Sequence, residues 1–199
     1  MNTEILRRFR SVGDNVVIHD LARILYPENV EIGSNVIIDD FVFIGVRGRL
    51  VIGSNVHIAG FVSVVGHEDI VFQDFSSVSW GSRLFSSSDD FRGYGLTNPT
   101  VPPEFRNVKH APINLGRHVI LGANTVVLPG VTIGEGASVG ANCVVHRDLS
   151  AWRVYAFHPL REIGARSQQL LEKEHAYLAS LTNGRPYAQP AYESSSAAH

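Results

Sequence analysis

The sequence predicts an all-β solenoid, a parallel β-helix of about six coils, and three observations predict it. In the stretch from Leu115 to His146 an aliphatic residue recurs every six positions: Leu115, Leu121, Val127, Ile133, Val139 and Val145. A period of six fits neither an amphipathic helix nor a long strand, but it fits one short strand and one turn per six residues. The same ruler continues backwards through the trios Val12, Ile18, Ile24; Ile32, Ile38, Ile44; Ile52, Ile58, Val64; and Phe72, Val78, Leu84. Spacing is six within a trio and eight between trios, so Val12, Ile32, Ile52 and Phe72 lie 20 apart. Finally, the position where each hexad must turn holds Asn15, Asn35, Asn55, Asn124, Asn142 and once Gly136. Asn and Gly best tolerate a left-handed backbone.

Taken in order, the chain opens with MNTEILRRFR, whose Ile5, Leu6 and Phe9 suit a short amphipathic helix capping the first coil. It has no apolar core of the kind a secretory signal needs. Three hexads then make each three-sided coil, with two inward residues per hexad filling a narrow prism. Each buried Val, Leu or Ile contributes about 1.5–3 kcal/mol, but a lone coil has two open ends, so stability depends on stacked neighbours. Coils are expected to start at Val12, Ile32, Ile52, Phe72, Leu115 and Ile133. The prism is expected to span residues 1–159, with an insertion at 86–110. From Ser86 to Lys109 the repeat fails and Ser, Asp, Gly and Pro dominate, which predicts a long functional loop, not a strand pair. Leu84 is the third inward position of its coil, so the loop leaves at the corner that carries Arg47 and His67 in earlier coils. After Val145 the repeat is expected to end in an exit strand and turn. A C-terminal α-helix over 160–182 would follow, with Leu170, Leu171, Tyr177, Leu178 and Leu181 covering a coil end or a neighbour. The tail 183–199 is expected to be disordered.

A net charge of −2 and a pI near 6.5 give no reason to expect nucleic acid or an acidic membrane as partner. No apolar run approaches the ~20 residues needed to span a bilayer, so the expectation is a soluble, cytoplasmic protein. The single cysteine, Cys143, excludes an intrachain disulfide. It falls on a small inward position and reads as core, not nucleophile.

The runs HIAGFVSVVG, IVFQDFSSVSWGSRLFSSSDDFRGYGLTNPTVP and GRHVILGANTVVLPGVTIGEGASVGA resemble the hexapeptide-repeat acyltransferases over about residues 12–170. Within that superfamily they are most similar to acetyltransferases of bacterial surface-polysaccharide and nucleotide-sugar pathways. The resemblance implies a left-handed β-helix, an exception to the usual right-handed crossover. It also implies a homotrimer, a small-molecule sugar as acceptor, and acetyl-CoA as donor in the groove between adjacent prisms. The extended loop of one subunit would reach its neighbour's active site. Several relatives carry a catalytic His in that loop, whereas this chain has Asp89, five residues past Leu84.

Acyl transfer to a sugar hydroxyl needs a base near neutrality, usually His. His57 precedes inward Ile58, so it should point outward, beside the small Ser77 and Ser79; the alternative is a surface histidine at a turn. His67 and His110 flank the loop and are candidate substrate contacts. Asp89 is expected to act with His57 across a subunit interface, and Asp90 to bind substrate; an Asx-type turn is the structural alternative for either. His118 takes a turn position usually filled by Asn, which favours a structural role. Gly122, Ala123, Gly140 and Ala141 would leave a smooth wall for pantetheine. Relatives end in a run whose Lys meets coenzyme A phosphates; Arg161 takes that place here, and Arg147 is a second candidate phosphate contact. Whether the acceptor is a hydroxyl or an amine is left open by the residues. Two other functions fit the fold. One is a non-catalytic scaffold, which would not need a long loop with paired Asp. The other is a zinc enzyme resembling γ-carbonic anhydrase, which needs a three-His cluster that the spacing of His residues does not offer. No metal is expected.

Overall fold

The structure is a computed structural model. It describes residues 3–156 and 161–165, together with residues 168, 171, 172, 175, 176, 178 and 179.

Short strands run along three faces of a prism, and each pairs in parallel with the strand one coil away. The first face holds Ser11–Val12, Val30–Ile32, Leu50–Ile52, Ile70–Phe72, Ile113–Leu115 and Thr132–Ile133. The second holds Val16–Ile18, Val36–Ile38, His57–Ile58, Ser77–Val78, Ile120–Leu121, Ser138–Val139 and Arg153–Ala156. The third holds Arg23–Leu25, Phe43–Val46, Ser63–Gly66, Arg83–Phe85, Val126–Val127 and Val144–Val145. The inward residues pair in the expected register, Val12 on Ile32, Ile32 on Ile52, Ile52 on Phe72, Phe72 on Leu115 and Leu115 on Ile133. Ile38, Ile58, Val78 and Leu121 are fully buried, and Cys143 lies in the same core. The helix Thr3–Leu6 precedes Phe9, which is buried, and Ile5 and Leu6 pack against the core.

The turn residues behave as their chemistry requires. Asn15, Asn35, Asn55, Asn124, Asn142 and Gly136 all have positive φ. At the first corner the Asn15 amide donates to Asn35 Oδ1 at 3.1 Å, and the Asn35 amide donates to Asn55 Oδ1 at 3.2 Å. Higher up the same corner the ladder becomes aromatic: Phe75 stacks on His118 at 5.2 Å, and His118 meets Trp152 at 6.2 Å. His118 is buried there, in a structural position.

Three expectations need correction. The prism does not end after six coils. Leu149 bridges to Ile133, and Val154 and Tyr155 pair with Ser138 and Val139, forming a partial seventh coil. Leu149 follows Val145 by only four positions, so a shortened corner breaks the six-residue ruler there. Residues expected to begin the C-terminal helix form a strand instead, Arg161–Ala165, antiparallel to Arg153–Ala156. The reason is the open edge of the last coil, whose unpaired backbone groups the returning chain satisfies. In the second unit, Ser167–His199, residues 171, 172, 175, 176, 178 and 179 are helical. The rest of the expected helix and the whole 183–199 tail lie outside the described residues. Finally, the long loop leaves at the third corner as expected, but its ends form a ribbon, Ser87–Ser88 antiparallel to Lys109–His110. No described helix is long and apolar enough to cross a membrane.

Candidate active site

Alternation along the second face turns His57 outward, because the next residue, Ile58, is an inward core residue. Its rung neighbours are Ile37 below and Ser77 above. The imidazole is not a free surface group. Its Nε2 lies 3.0 Å from Oδ2 of Asp39, whose side chain is only 10% exposed against 42% for His57. The other carboxylate oxygen, Oδ1, is buried without a hydrogen-bond partner. With Nε2–H donating to Asp39, Nδ1 holds the lone pair and can accept a proton. Asp39 starts the second corner, and Ala59 and Ser79 follow it on successive coils. The pair therefore opens towards small side chains. Along the same corner run Phe41, Phe61 and Trp80, which are 51, 53 and 57% exposed. Phe41 stacks on Phe61 at 4.8 Å, and Phe61 meets Trp80 at 5.7 Å. Phe41 and Phe61 adopt positive φ, an uncommon conformation for bulky residues.

Asp89 lies elsewhere, at the third corner, which is opposite the second face in a three-sided prism. It lines a cleft of about 610 Å³ with Lys109, Leu128, Pro129 and His146. Asp89 Oδ2 accepts weakly from the Asn98 amide at 3.4 Å. Asp90 lines the cleft too, but its carboxylate serves the loop itself. It accepts from the backbone N–H of Arg92 at 2.7 Å, Tyr94 at 2.6 Å and Gly95 at 3.1 Å, and from the Asn107 side chain at 3.4 Å. Those bonds, led by the one from Arg92, hold its pKa below the usual carboxylate range.

His67 and His110 come together. Ser87 Oγ lies 2.8 Å from His110 Nδ1 and 3.3 Å from His67 Nδ1, and accepts the His67 backbone N–H at 2.9 Å. The rings meet edge to face at 4.9 Å. Burial lowers the basicity of His67, and the positive charges of His110, Arg47 and Arg106 lower it further.

The small residues of the second corner have a packing role. A Cβ at Gly122 would come within 2.5 Å of the Ala141 amide nitrogen, so glycine there lets the next coil stack. Ala123 is half-buried and Ala141 exposed, and Gly140 is half-buried below Ala156. Arg147 is exposed at the third corner. The side chain of Arg161 and residues 157–160 lie outside the described residues. Among the described residues no group of three or more His, Cys, Asp or Glu is placed to hold a metal ion.

Sequence reasoning missed Asp39, Ser87 and His146. Asp39 was detectable: it precedes His57 by 18 residues, two short of one coil, which puts it one rung down and diagonally adjacent. Ser87 and His146 depend on the fold of the loop, for which the repeat offers no ruler.

Comparison with known proteins agrees with this architecture. Residues 112–147 match the family described as bacterial transferase hexapeptide (six repeats). A dTDP-4-amino-4,6-dideoxy-D-glucose acyltransferase of Escherichia coli is 38% identical over 173 residues, covering 86% of this chain and 90% of that protein. AntD, an N-acyltransferase from Bacillus cereus solved in complex with dTDP and coenzyme A, superposes with a TM-score of 0.86 at 39% identity, over 90% of this chain and 98% of that one. AntD has also been solved with 3-hydroxybutyryl-CoA, and as variants of one serine and one aspartate ten positions apart. An acetyltransferase of Vibrio cholerae complexed with acetyl coenzyme A shares the fold, with a TM-score of 0.56 at 18% identity over 82% of this chain and 75% of that one.

Proposed function

From the chain's membership of the hexapeptide-repeat acyltransferases, we propose that it transfers an acyl group, acetyl in the first instance, from coenzyme A to the amino group of a nucleotide-linked amino sugar. The observation that carries the reading is the His57–Asp39 pair on an outward face bordered by small residues. The relatives favour an amine over a hydroxyl acceptor: one is named for a 4-amino sugar nucleotide and the other as an N-acyltransferase.

In this reading the sugar nitrogen attacks the thioester carbonyl carbon. The carbonyl π electrons move to oxygen, then re-form the double bond as the C–S bond breaks and coenzyme A thiolate leaves. The nitrogen loses one proton to His57 Nδ1, which can pass it to the departing sulfur. Asp39 keeps the imidazole in the tautomer with Nε2 protonated and stabilises the imidazolium. Ser77 and Ser79 border the acceptor. Gly122, Ala123, Gly140 and Ala141 give pantetheine a low wall, and Arg147 and Arg161 meet coenzyme A phosphates.

Asp89 binds the amino sugar from a neighbouring subunit of a homotrimer. This arrangement is favoured by geometry, since the third corner and the second face do not adjoin within one prism. In AntD the varied serine and aspartate are ten positions apart. Ser79 and Asp89 keep that spacing here, as do Ser138 and Asp148, but only Asp89 lines the loop cleft. Asp90 shapes the loop that presents Asp89. Nucleotide sugars and coenzyme A thioesters are cytoplasmic metabolites, which sets the compartment, and the product class suits surface-polysaccharide assembly.

The test is thiol release from acetyl-CoA and 3-hydroxybutyryl-CoA with dTDP- and UDP-linked amino sugars, each against its hydroxyl counterpart. Thiol release that requires the amino sugar is expected. Release with the hydroxyl sugars alone would overturn the amine assignment, and no release with any nucleotide sugar would overturn the acceptor class.

A further inference from the structure

The second corner carries a stack of aromatic rings in water, beside the His57–Asp39 pair. Its turn position, where φ is positive, holds Phe41, Phe61, Gly81, Asn124 and Asn142 on successive coils. Asparagine tolerates that backbone, and on the upper coils it takes the turn. Phe41 and Phe61, at φ of 62° and 60°, are bulky residues for which the conformation is an outlier. Both rings are about half exposed, so burial does not explain the choice.

On the next coil the ring comes from one position earlier. Gly81 takes the turn and Trp80 supplies the indole, which lies on Gly60: a Cβ there would come within 2.9 Å of Trp80 Cζ3. Glycine at 60 therefore makes room for the indole to join the stack. The centroids of Phe41 and Phe61 are 4.8 Å apart with planes at 14°, and those of Phe61 and Trp80 are 5.7 Å apart at 39°. Atoms in contact lie about 3.5–4.0 Å apart, so the first pair is offset and the second splayed. Part of each ring face stays uncovered. The stack ends at Trp80, since the next coil holds Ala123 and Asn124 at this corner.

A cation is held at the same corner. Arg83 is exposed, and its Nη1 donates to the Gly81 carbonyl at 2.9 Å. That bond draws the guanidinium from the third face back to the second corner, and it uses only part of the fork of donors.

We propose that Trp80 and Phe61 stack the base of a nucleotide and that Arg83 meets its phosphates. Base–aromatic stacking needs an open ring face and no charge, and a guanidinium fork suits phosphate oxygens. The indole N–H adds a donor for a base carbonyl. The base is that of the acceptor. Phe61 follows His57 by four positions, at most about 14 Å of extended chain. In a nucleotide sugar the hexose, diphosphate and ribose separate the reacting amine from the base. Coenzyme A has a pantetheine arm as well between its sulfur and its adenine, which carries the adenine farther off. This assignment rests on the proposed acceptor being nucleotide-linked.

The experiment is calorimetric titration of the full chain with dTDP and, separately, with coenzyme A. Trp80→Leu should weaken dTDP binding about 5- to 150-fold, the worth of one base–aromatic stack, and Trp80→Phe should recover most of the loss. Phe61→Asn installs the residue that this turn holds at 124 and 142, so the prism should unfold at the wild-type temperature or above it while dTDP binding falls. Arg83→Gln should weaken dTDP about tenfold or more, the size of a lost bond to a charged group. Coenzyme A should bind all four variants as it binds the wild type. Wild-type dTDP affinity in Trp80→Leu would overturn the proposal and leave the acceptor class standing. Weakened coenzyme A binding with dTDP unchanged would assign the stack to adenine, and dissociation of the assembly in Trp80→Leu would make it a subunit contact; either result overturns the proposal. A wild-type chain that binds no dTDP, yet releases thiol with a nucleotide-free amino sugar, would overturn the proposed acceptor and the base site together.

Discussion

His57 Nε2 lies 3.0 Å from Asp39 Oδ2, and the second oxygen of that carboxylate is buried with no partner. The carboxylate is thus committed to one imidazole. If His57 is the base, removing it should lower kcat by about 10²–10⁴, the usual worth of general-base catalysis. His57→Ala should show this loss with little change in KM for the nucleotide sugar. Asp39→Asn should lower kcat by a smaller factor, because the imidazole keeps a neighbour but loses its charge partner. Thiol-release kinetics measure both, and wild-type turnover in the two variants would remove the dyad from the mechanism.

Asp89 and His57 occupy a corner and the face opposite it, so a shared site requires two chains. Neither His57→Ala nor Asp89→Asn should be active alone, yet mixing them should restore turnover. In a cyclic trimer assembled at random from equal amounts, each interface is intact with a probability of one in four, so about a quarter of wild-type activity should return. Refolding the two variants together and assaying the mixture tests this. Inactive mixtures from two folded variants would place the chemistry within one chain.

The prism was legible because its register is arithmetic. The six-residue spacing marked the inward residues from Val12 to Leu84, and again from Leu115 to Val145 beyond the loop. Legibility failed where the chain stopped keeping step. The shortened corner between Val145 and Leu149 hid the seventh coil. The strand Arg161–Ala165 exists because an exposed sheet edge lies beside it, a tertiary cause that no local pattern records. In the candidate site, His57 was visible from its outward register. Its partner Asp39 required the register to be read diagonally, one coil down. The His67–Ser87–His110 cluster brings together residues 43 apart, 110 minus 67, across a loop with no repeat.

The Asn column at the first corner should show which part of its stability is conformational. Asn35 has φ of 58°, donates to Asn55 and accepts from Asn15. Asn35→Ala keeps a side chain in the left-handed region, costing about 1–2 kcal/mol, and loses two amide bonds worth about 0.5–1.5 kcal/mol each. A total loss of roughly 2–5 kcal/mol is expected. Asn35→Gly removes the backbone penalty and should lose only about 1–3 kcal/mol. Urea unfolding of the two variants checks the difference; an equally stable pair would mean that the ladder bonds dominate.

Asp90 should hold the loop in the shape that presents Asp89. Both of its oxygens accept backbone amides, from Arg92 on one and from Tyr94 and Gly95 on the other, and these bonds hold its pKa below the ordinary value of 3.8. A carboxyl group more acidic in the folded state than in the unfolded one stabilises the fold above its unfolded value, and that contribution is lost as pH falls through the lowered value. The loop should therefore stay anchored across the neutral range and loosen only in strong acid. Asp90→Ala should reproduce the loosened loop at pH 7.5. Limited proteolysis should cut faster between residues 91 and 107, while thermal unfolding of the prism shifts by only a few degrees, since the hydrogen bonds of Asp90 are made within the loop. Because Asp89 is carried by that loop, the same variant should raise KM for the nucleotide sugar more than it lowers kcat. A protease pattern identical to wild type would mean that the ribbon Ser87–Ser88 with Lys109–His110 is enough to hold the loop.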